Sequence, residues 1–151
     1  MTVQKDLRRL LKDFILDTAK DHDLAVTLTL KQQDGPTRLD SIEASKNLRH
    51  FLNRLNKKAY GNAAQRFGKK VEVVPMLEAS YAGRLHYHLA LKNPFPTVAI
   101  CRSAIIDCWS KTRWGYDEVD VQPIYSSGWI DYITKSKLTD VWDVENSHMV
   151  R

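Results

Sequence analysis

Apolar positions along this chain follow two periods, one near 3.6 and one of 2, and the switches between them divide it into elements. In residues 4–21, Leu7, Leu10, Leu11 and Phe14 fall at helical spacing, with Lys5, Arg8, Arg9 and Lys12 around them, so an amphipathic helix is expected. Residues 24–31 read LAVTLTLK, and Leu24, Val26, Leu28 and Leu30 alternate as in a half-buried strand. The stretch QQDGPTRLD interrupts this with Asp34-Gly35-Pro36 and reads as a loop. The clearest helix covers 41–60, where Leu48, Phe51, Leu52, Leu55 and Ala59 form one stripe. GNAAQRFGKK connects it to a strand at 71–79, and a tight turn at Ala82-Gly83 leads to a third strand at 85–92. Asn93, Pro94 and Pro96 end that strand. Thr97 is placed to cap a helix reaching about residue 112, with Cys101, Ile105, Cys108 and Trp109 inward. A fourth strand near 116–124 and a helix at roughly 127–138 follow, and 139–151 reads as a tail or truncated linker.

This order predicts an α+β fold, a central antiparallel sheet of four to five strands with helices packed on one face. The expected division is an N-terminal basic helix at 1–22, one domain at 23–138 and the tail at 139–151. The other sheet face is left for a site. In the third strand Leu85, Tyr87, Leu89 and Leu91 share the core side, and His86, His88 and Ala90 share the second.

Composition narrows the class. The chain has 151 residues, 43% of them hydrophobic and 27% charged, enough for one real core and too apolar for disorder. Lys and Arg number 23 against 18 Asp and Glu, a net charge of +5 that suits a polyanionic partner. No apolar run approaches the roughly 20 residues that span a membrane. The N-terminus is charged throughout, unlike a secretory signal. Cys101 and Cys108, seven apart on a helix, are too distant for a disulfide and read as core residues of an intracellular protein.

Two constellations carry chemistry. His86 and His88 project to the same side of a strand, and the hairpin lays Glu78 across from His86, so two imidazoles and a carboxylate converge. Such a set leaves coordination positions open and accepts Mg²⁺ or Mn²⁺. A bare His-x-His pair is usually incidental; placement on a strand with an apolar opposite face, and a carboxylate across a short hairpin, separates this one from that background. The second constellation is Tyr132 and Lys135, neighbours at i and i+3 on the last helix, with Ile130 and Ile133 on roughly the opposite side. A tyrosine hydroxyl forms covalent intermediates when a cation and a metal assist it. By itself a Tyr-x-x-Lys is most often a packed aromatic beside a solvated lysine.

Together these motifs resemble the HUH endonucleases, specifically the rolling-circle replication initiators (Rep) with a single catalytic tyrosine. His86-Tyr87-His88 is similar to the family's His-hydrophobic-His motif, Tyr132-Ile133-Thr134-Lys135 to its Tyr-x-x-Lys motif, and AVTLTLK to its first motif, a strand beside the site. Glu78 stands eight residues before His86, as the third metal ligand does in many viral members. The resemblance spans 24–138 and implies the ferredoxin-like HUH fold. It also implies a metal-dependent nickase acting on single-stranded DNA or an origin hairpin. Tyr132 would form a 5′-phosphotyrosine link and release a 3′-hydroxyl for a host polymerase, and Lys135 would steady the phosphate. Small transposases of the superfamily are the alternative; relaxases carry their tyrosine before the histidines. Departures exist: no Gly-x₄-Gly-Lys-Ser/Thr loop occurs, so a helicase domain has been cut away or a host helicase is borrowed. The implied location is the bacterial cytoplasm or, for a eukaryotic virus, the host nucleus. Tyr125 lacks the paired lysine and is read as structural.

DNA contacts are expected from Lys46, Arg49, Arg54, Lys57 and Lys58 on the 41–60 helix and from Arg66, Lys69 and Lys70 after it. A solvated helix face is the bland reading of the same residues. Trp114 and Trp129 are candidates to stack bases, Tyr87 faces the core, and Tyr81 and Tyr116 are read as packing residues. A non-catalytic nucleic-acid module is the rival class, but it needs aromatics where His86, His88 and Glu78 stand. A zinc-stabilised structural domain needs four closed ligands, which the separate cysteines do not complete.

Overall fold

The computed structural model describes Arg9, Asp13 and residues 23–80, 82–124 and 142–148. Arg9 and Asp13 are helical and exposed; the rest of the expected 4–21 helix, and the expected 127–138 helix, lie outside the described residues. Strand β1 is Leu24–Leu30, and two short strands, β2 (Gln33–Asp34) and β3 (Thr37–Arg38), pair as a small hairpin inside the segment expected as loop. Helix α1 covers Ser41–Tyr60, as its apolar stripe predicts. A second short helix, α2 (Asn62–Phe67), occupies part of the expected connector. Strands β4 (Val73–Ala79) and β5 (Leu85–Leu91), helix α3 (Val98–Ser110) and strand β6 (Gly115–Pro123) follow.

The main sheet has four strands in the order β4-β5-β1-β6, every neighbouring pair antiparallel. With α1 and α3 as the two crossovers, this is a ferredoxin-like α+β arrangement. Asp40 and Thr97 cap the two long helices, accepting from the backbone N–H groups of Glu43 and Ile100 at 2.8 and 3.1 Å. Both helices pack on the face formed by Leu24, Val26, Leu28 and Leu30 of β1 with Tyr87, Leu89 and Leu91 of β5. The four β1 side chains are at most 1% exposed, each burial favouring the fold by about 1.5–3 kcal/mol. Phe51 of α1 meets Trp109 of α3 edge to face, centroids 5.3 Å apart.

Two buried asparagines tie the layers together. Asn47 of α1 donates to Thr112 Oγ1 at 3.1 Å and accepts from Trp114 N–H at 3.0 Å, fixing the turn between α3 and β6. Asn56 accepts from Val71 N–H at 2.8 Å, just before β4. Residues 142–148, expected within a tail or linker, run along the outer edge of β4. His148 exchanges backbone bonds with Val73 at 2.8 and 3.0 Å, and Asp143 N–H donates to the Pro75 carbonyl at 3.0 Å. Pro75 therefore turns its missing N–H outward, where it interrupts no bond to β5. Among the described residues, no helix is long and apolar enough to cross a membrane.

Candidate metal centre

The β4–β5 hairpin builds the site. Its register pairs Glu78 with His86 and Met76 with His88, and β1 lies on the other side of β5, with Thr27 opposite His88 and Thr29 opposite His86. Pleat alternation places Glu78, His86, His88, Thr27 and Thr29 on the face away from α1 and α3. That face is open only at one end. Val74, Met76 and Ala90 on it are at most 1% exposed, and Ala25 is 8% exposed. The side chains of Glu78, His86 and His88 keep 19, 21 and 12% exposure. The expectation of a free second face thus holds for the site end alone.

At that end three ligand atoms converge. Glu78 Oε2 lies 3.1 Å from His88 Nε2 and 3.8 Å from His86 Nε2, and the two imidazole nitrogens are 3.1 Å apart. Glu78 Oε2 is buried and no donor is directed at it. A buried acceptor left this way costs about 1–3 kcal/mol unless a cation or proton answers it. Two cis ligands of an octahedral ion with bonds of about 2.1 Å stand about 3.0 Å apart. The cluster is close to that spacing already, and only the His86–Glu78 edge must shorten. Two nitrogens and one carboxylate oxygen on one side leave the remaining positions for water or a substrate oxygen. The residues present fit a divalent metal, and among the described residues this is the one His, Cys, Asp or Glu cluster able to hold an ion.

The surroundings favour ligand-competent imidazoles. Burial, and then the neighbouring His86, hold the His88 pKa below its ordinary value against the opposing pull of Glu78. Thr27 Oγ1 is 3.2 Å from His88 Nδ1. With the Nδ1 proton on that bond, the Nε2 lone pair faces Glu78 and His86. Sequence reasoning did not single out Thr27, although a signal was present: Thr27 and Thr29 are the polar positions of an otherwise apolar strand. Tyr87, between the two histidines, points the other way. It is buried, and its hydroxyl donates to Asp143 Oδ2 at 2.8 Å, anchoring the 142–148 segment.

The structure separates the expected DNA-binding residues from this trio. Lys46, Arg49, Arg54, Lys57 and Lys58 ride on α1, across the sheet from the ligands. Several are already engaged: Lys46 with Glu43 at 4.0 Å, Arg49 with Glu145 at 3.4 Å and Lys58 with Asp107 at 2.9 Å. Arg54 Nε donates to His50 Nε2 at 3.0 Å. Lys69 sits over the Tyr60 ring, 5.4 Å from its centroid, and Lys70 is exposed. Trp114, expected to stack bases, is 1% exposed and belongs to the core. Tyr116, expected to pack, is 42% exposed. Tyr132, Lys135, Tyr125, Trp129 and Tyr81 lie outside the described residues.

The comparison with protein families agrees with this frame. The model of a family of replication-associated proteins, that of ORF2 and the gene 2 protein, matches residues 23–138, which includes the whole sheet and all three ligands. No curated protein and no solved structure gives a significant match. Matched over most of its length, the chain belongs to this replication-associated protein family.

Proposed function

We propose that this chain is a rolling-circle replication initiator that nicks and rejoins single-stranded DNA through Tyr132. The carrying observation is the convergence of Glu78, His86 and His88 at the accessible end of the sheet in a replication-associated protein. Mg²⁺ or Mn²⁺ bound there supplies Lewis-acid polarisation of the scissile phosphate. Glu78 and the two imidazoles orient the phosphate, and Thr27 holds His88 in the tautomer that can do so. Tyr132 Oη loses its proton and attacks phosphorus; the bond from phosphorus to the 3′-oxygen breaks, and that oxygen leaves as a hydroxyl after taking up a proton. One phosphodiester is exchanged for another, so the 5′-phosphotyrosine link can be reversed to rejoin the strand. Lys135, one helical turn from Tyr132, steadies negative charge on the phosphate.

The test is a covalent-adduct assay. Labelled single-stranded oligonucleotides, including random pools and hairpins, are mixed with protein and Mn²⁺ and resolved on a denaturing gel. A shifted band that disappears with Tyr132→Phe and with chelator is the expected result. A band that persists in Tyr132→Phe assigns the nucleophile elsewhere, with Tyr125 next. No band with any substrate refutes the nickase reading in favour of a non-catalytic binding module.

A further inference from the structure

The basic helix lies across the sheet from the metal ligands, so a DNA strand reaching the centre needs cations on the ligand face. Two stand at its open end. Arg84 immediately precedes β5, two residues before His86, and the strand pairing continues to it: Ser80 N–H donates to the Arg84 carbonyl at 2.8 Å, and Arg84 N–H donates to Ser80 Oγ at 3.2 Å. Gly83, at φ 81°, supplies the left-handed residue of this turn. Alternation puts the Arg84 side chain on the His86 side, about 7 Å further along the strand. Lys31 follows buried Leu30, and its N–H donates to the Trp114 carbonyl at 2.8 Å, so its backbone stays in the sheet and its exposed side chain faces away from the core. Gln32 joins the two strands at this point. Its side-chain amide donates to the Leu85 carbonyl at 3.0 Å and accepts from Leu85 N–H at 2.9 Å. That pairing sets Lys31 beside Arg84. Both are exposed, and among the described residues neither forms an ion pair, unlike Lys46, Arg49 and Lys58.

We propose that Lys31 and Arg84 form a phosphate subsite that holds the backbone of the single-stranded DNA next to the phosphate at the metal centre. The proposal rests on the reading that the chain acts on single-stranded DNA. It adds where the strand runs: over the β4–β5 turn and the end of β1, on the ligand side of the sheet. The long, exposed side chains reach outward without contributing to the core, so their neutralisation leaves the fold in place.

The experiment is fluorescence anisotropy of the full chain with a labelled random single-stranded oligonucleotide, with EDTA present to prevent cutting, over a salt series. Lys31→Gln and Arg84→Gln are each expected to reduce the slope of log affinity against log salt by about 0.7, and the double variant by about 1.4. Arg84→Lys retains the charge and the slope. Lys111→Gln, on the helical side and paired with Asp107 at 3.2 Å, keeps the wild-type slope. Mn²⁺ affinity measured by calorimetry stays undiminished in the double variant. A double variant with the wild-type slope overturns the subsite while single-strand binding stands. Wild-type protein that binds no single-stranded DNA overturns the functional reading, and the subsite with it. A double variant that loses Mn²⁺ also overturns it, assigning the two cations to holding the ligands in place.

Discussion

Replacing Tyr87 by Phe removes one hydroxyl from the middle of the His-Tyr-His motif and tests how the fold secures the strand that carries the metal ligands. The ring stays buried and packed; what is lost is the 2.8 Å bond to Asp143 Oδ2. A hydrogen bond to a charged group contributes about 1.5–3 kcal/mol. Asn146 Nδ2, 2.9 Å from the same oxygen, continues to answer Asp143, which puts the expected loss near the lower end. For a chain of this size, about 1.5 kcal/mol lowers the melting temperature by roughly 3–6 °C. The loss also depends on pH. Burial, and then the Asp143 carboxylate, raise the Tyr87 pKa far above its ordinary value. The unfolded chain releases this proton near pH 10, whereas the folded protein retains it. The contribution of the buried neutral phenol is therefore complete below about pH 10 and falls by about 1.4 kcal/mol per pH unit above it. Wild type and Tyr87→Phe should differ by about 1.5 kcal/mol at pH 8 and by almost nothing at pH 11. Urea unfolding followed by tryptophan fluorescence at pH 8, 9, 10 and 11 reads both effects, and the difference between proteins cancels the other alkaline titrations. A constant difference across that range, or no difference at pH 8, refutes the assignment of a buried, coupled hydroxyl.

Other expectations follow from the same geometry. Glu78→Gln keeps the side chain's shape but removes the anionic ligand; Mn²⁺ affinity by calorimetry should drop by more than the roughly 10–100-fold that loss of an outer-shell partner costs. The metal-free melting temperature of that variant should not fall, because a buried oxygen without a directed donor is replaced by an amide. Thr27→Val is expected to weaken Mn²⁺ binding by about 10–100-fold and Thr27→Ser to restore it; equal affinities for Val and wild type would remove Thr27 from the site. At Gly115 a Cβ would run into the Trp109 carbonyl and come within 2.6 Å of Thr112 Oγ1, in the turn fixed by Asn47. Gly115→Ala should therefore destabilise by about 3 kcal/mol, read as a lower urea midpoint, since rigid backbone and not a mobile side chain blocks the methyl group.

Local periodicity was enough for much of this protein. Strict alternation in LAVTLTL and LHYHLAL marked two strands and separated their faces, because a residue's side of a strand depends only on whether its position is odd or even. The same arithmetic placed His86 and His88 together, and a short hairpin between two such strands brought Glu78 opposite them. The α1 stripe and the Asp40 and Thr97 caps are likewise properties of a few consecutive residues. Tertiary structure decided what depends on the packing of one element against another. It put the basic helix on the far side of the sheet, because the stripe of Leu48, Phe51 and Leu55 must be buried against the apolar face and carries its lysines away from the ligands. It buried Trp114 through Asn47, 67 residues distant in sequence, and left Tyr116 exposed. It docked 142–148 on the β4 edge through Tyr87 and Asp143, a partnership across 56 residues with no local pattern. It also covered most of the ligand face and kept one end accessible. Alternation gives a side chain its side of the sheet, but only the complete chain determines what else lies over that side.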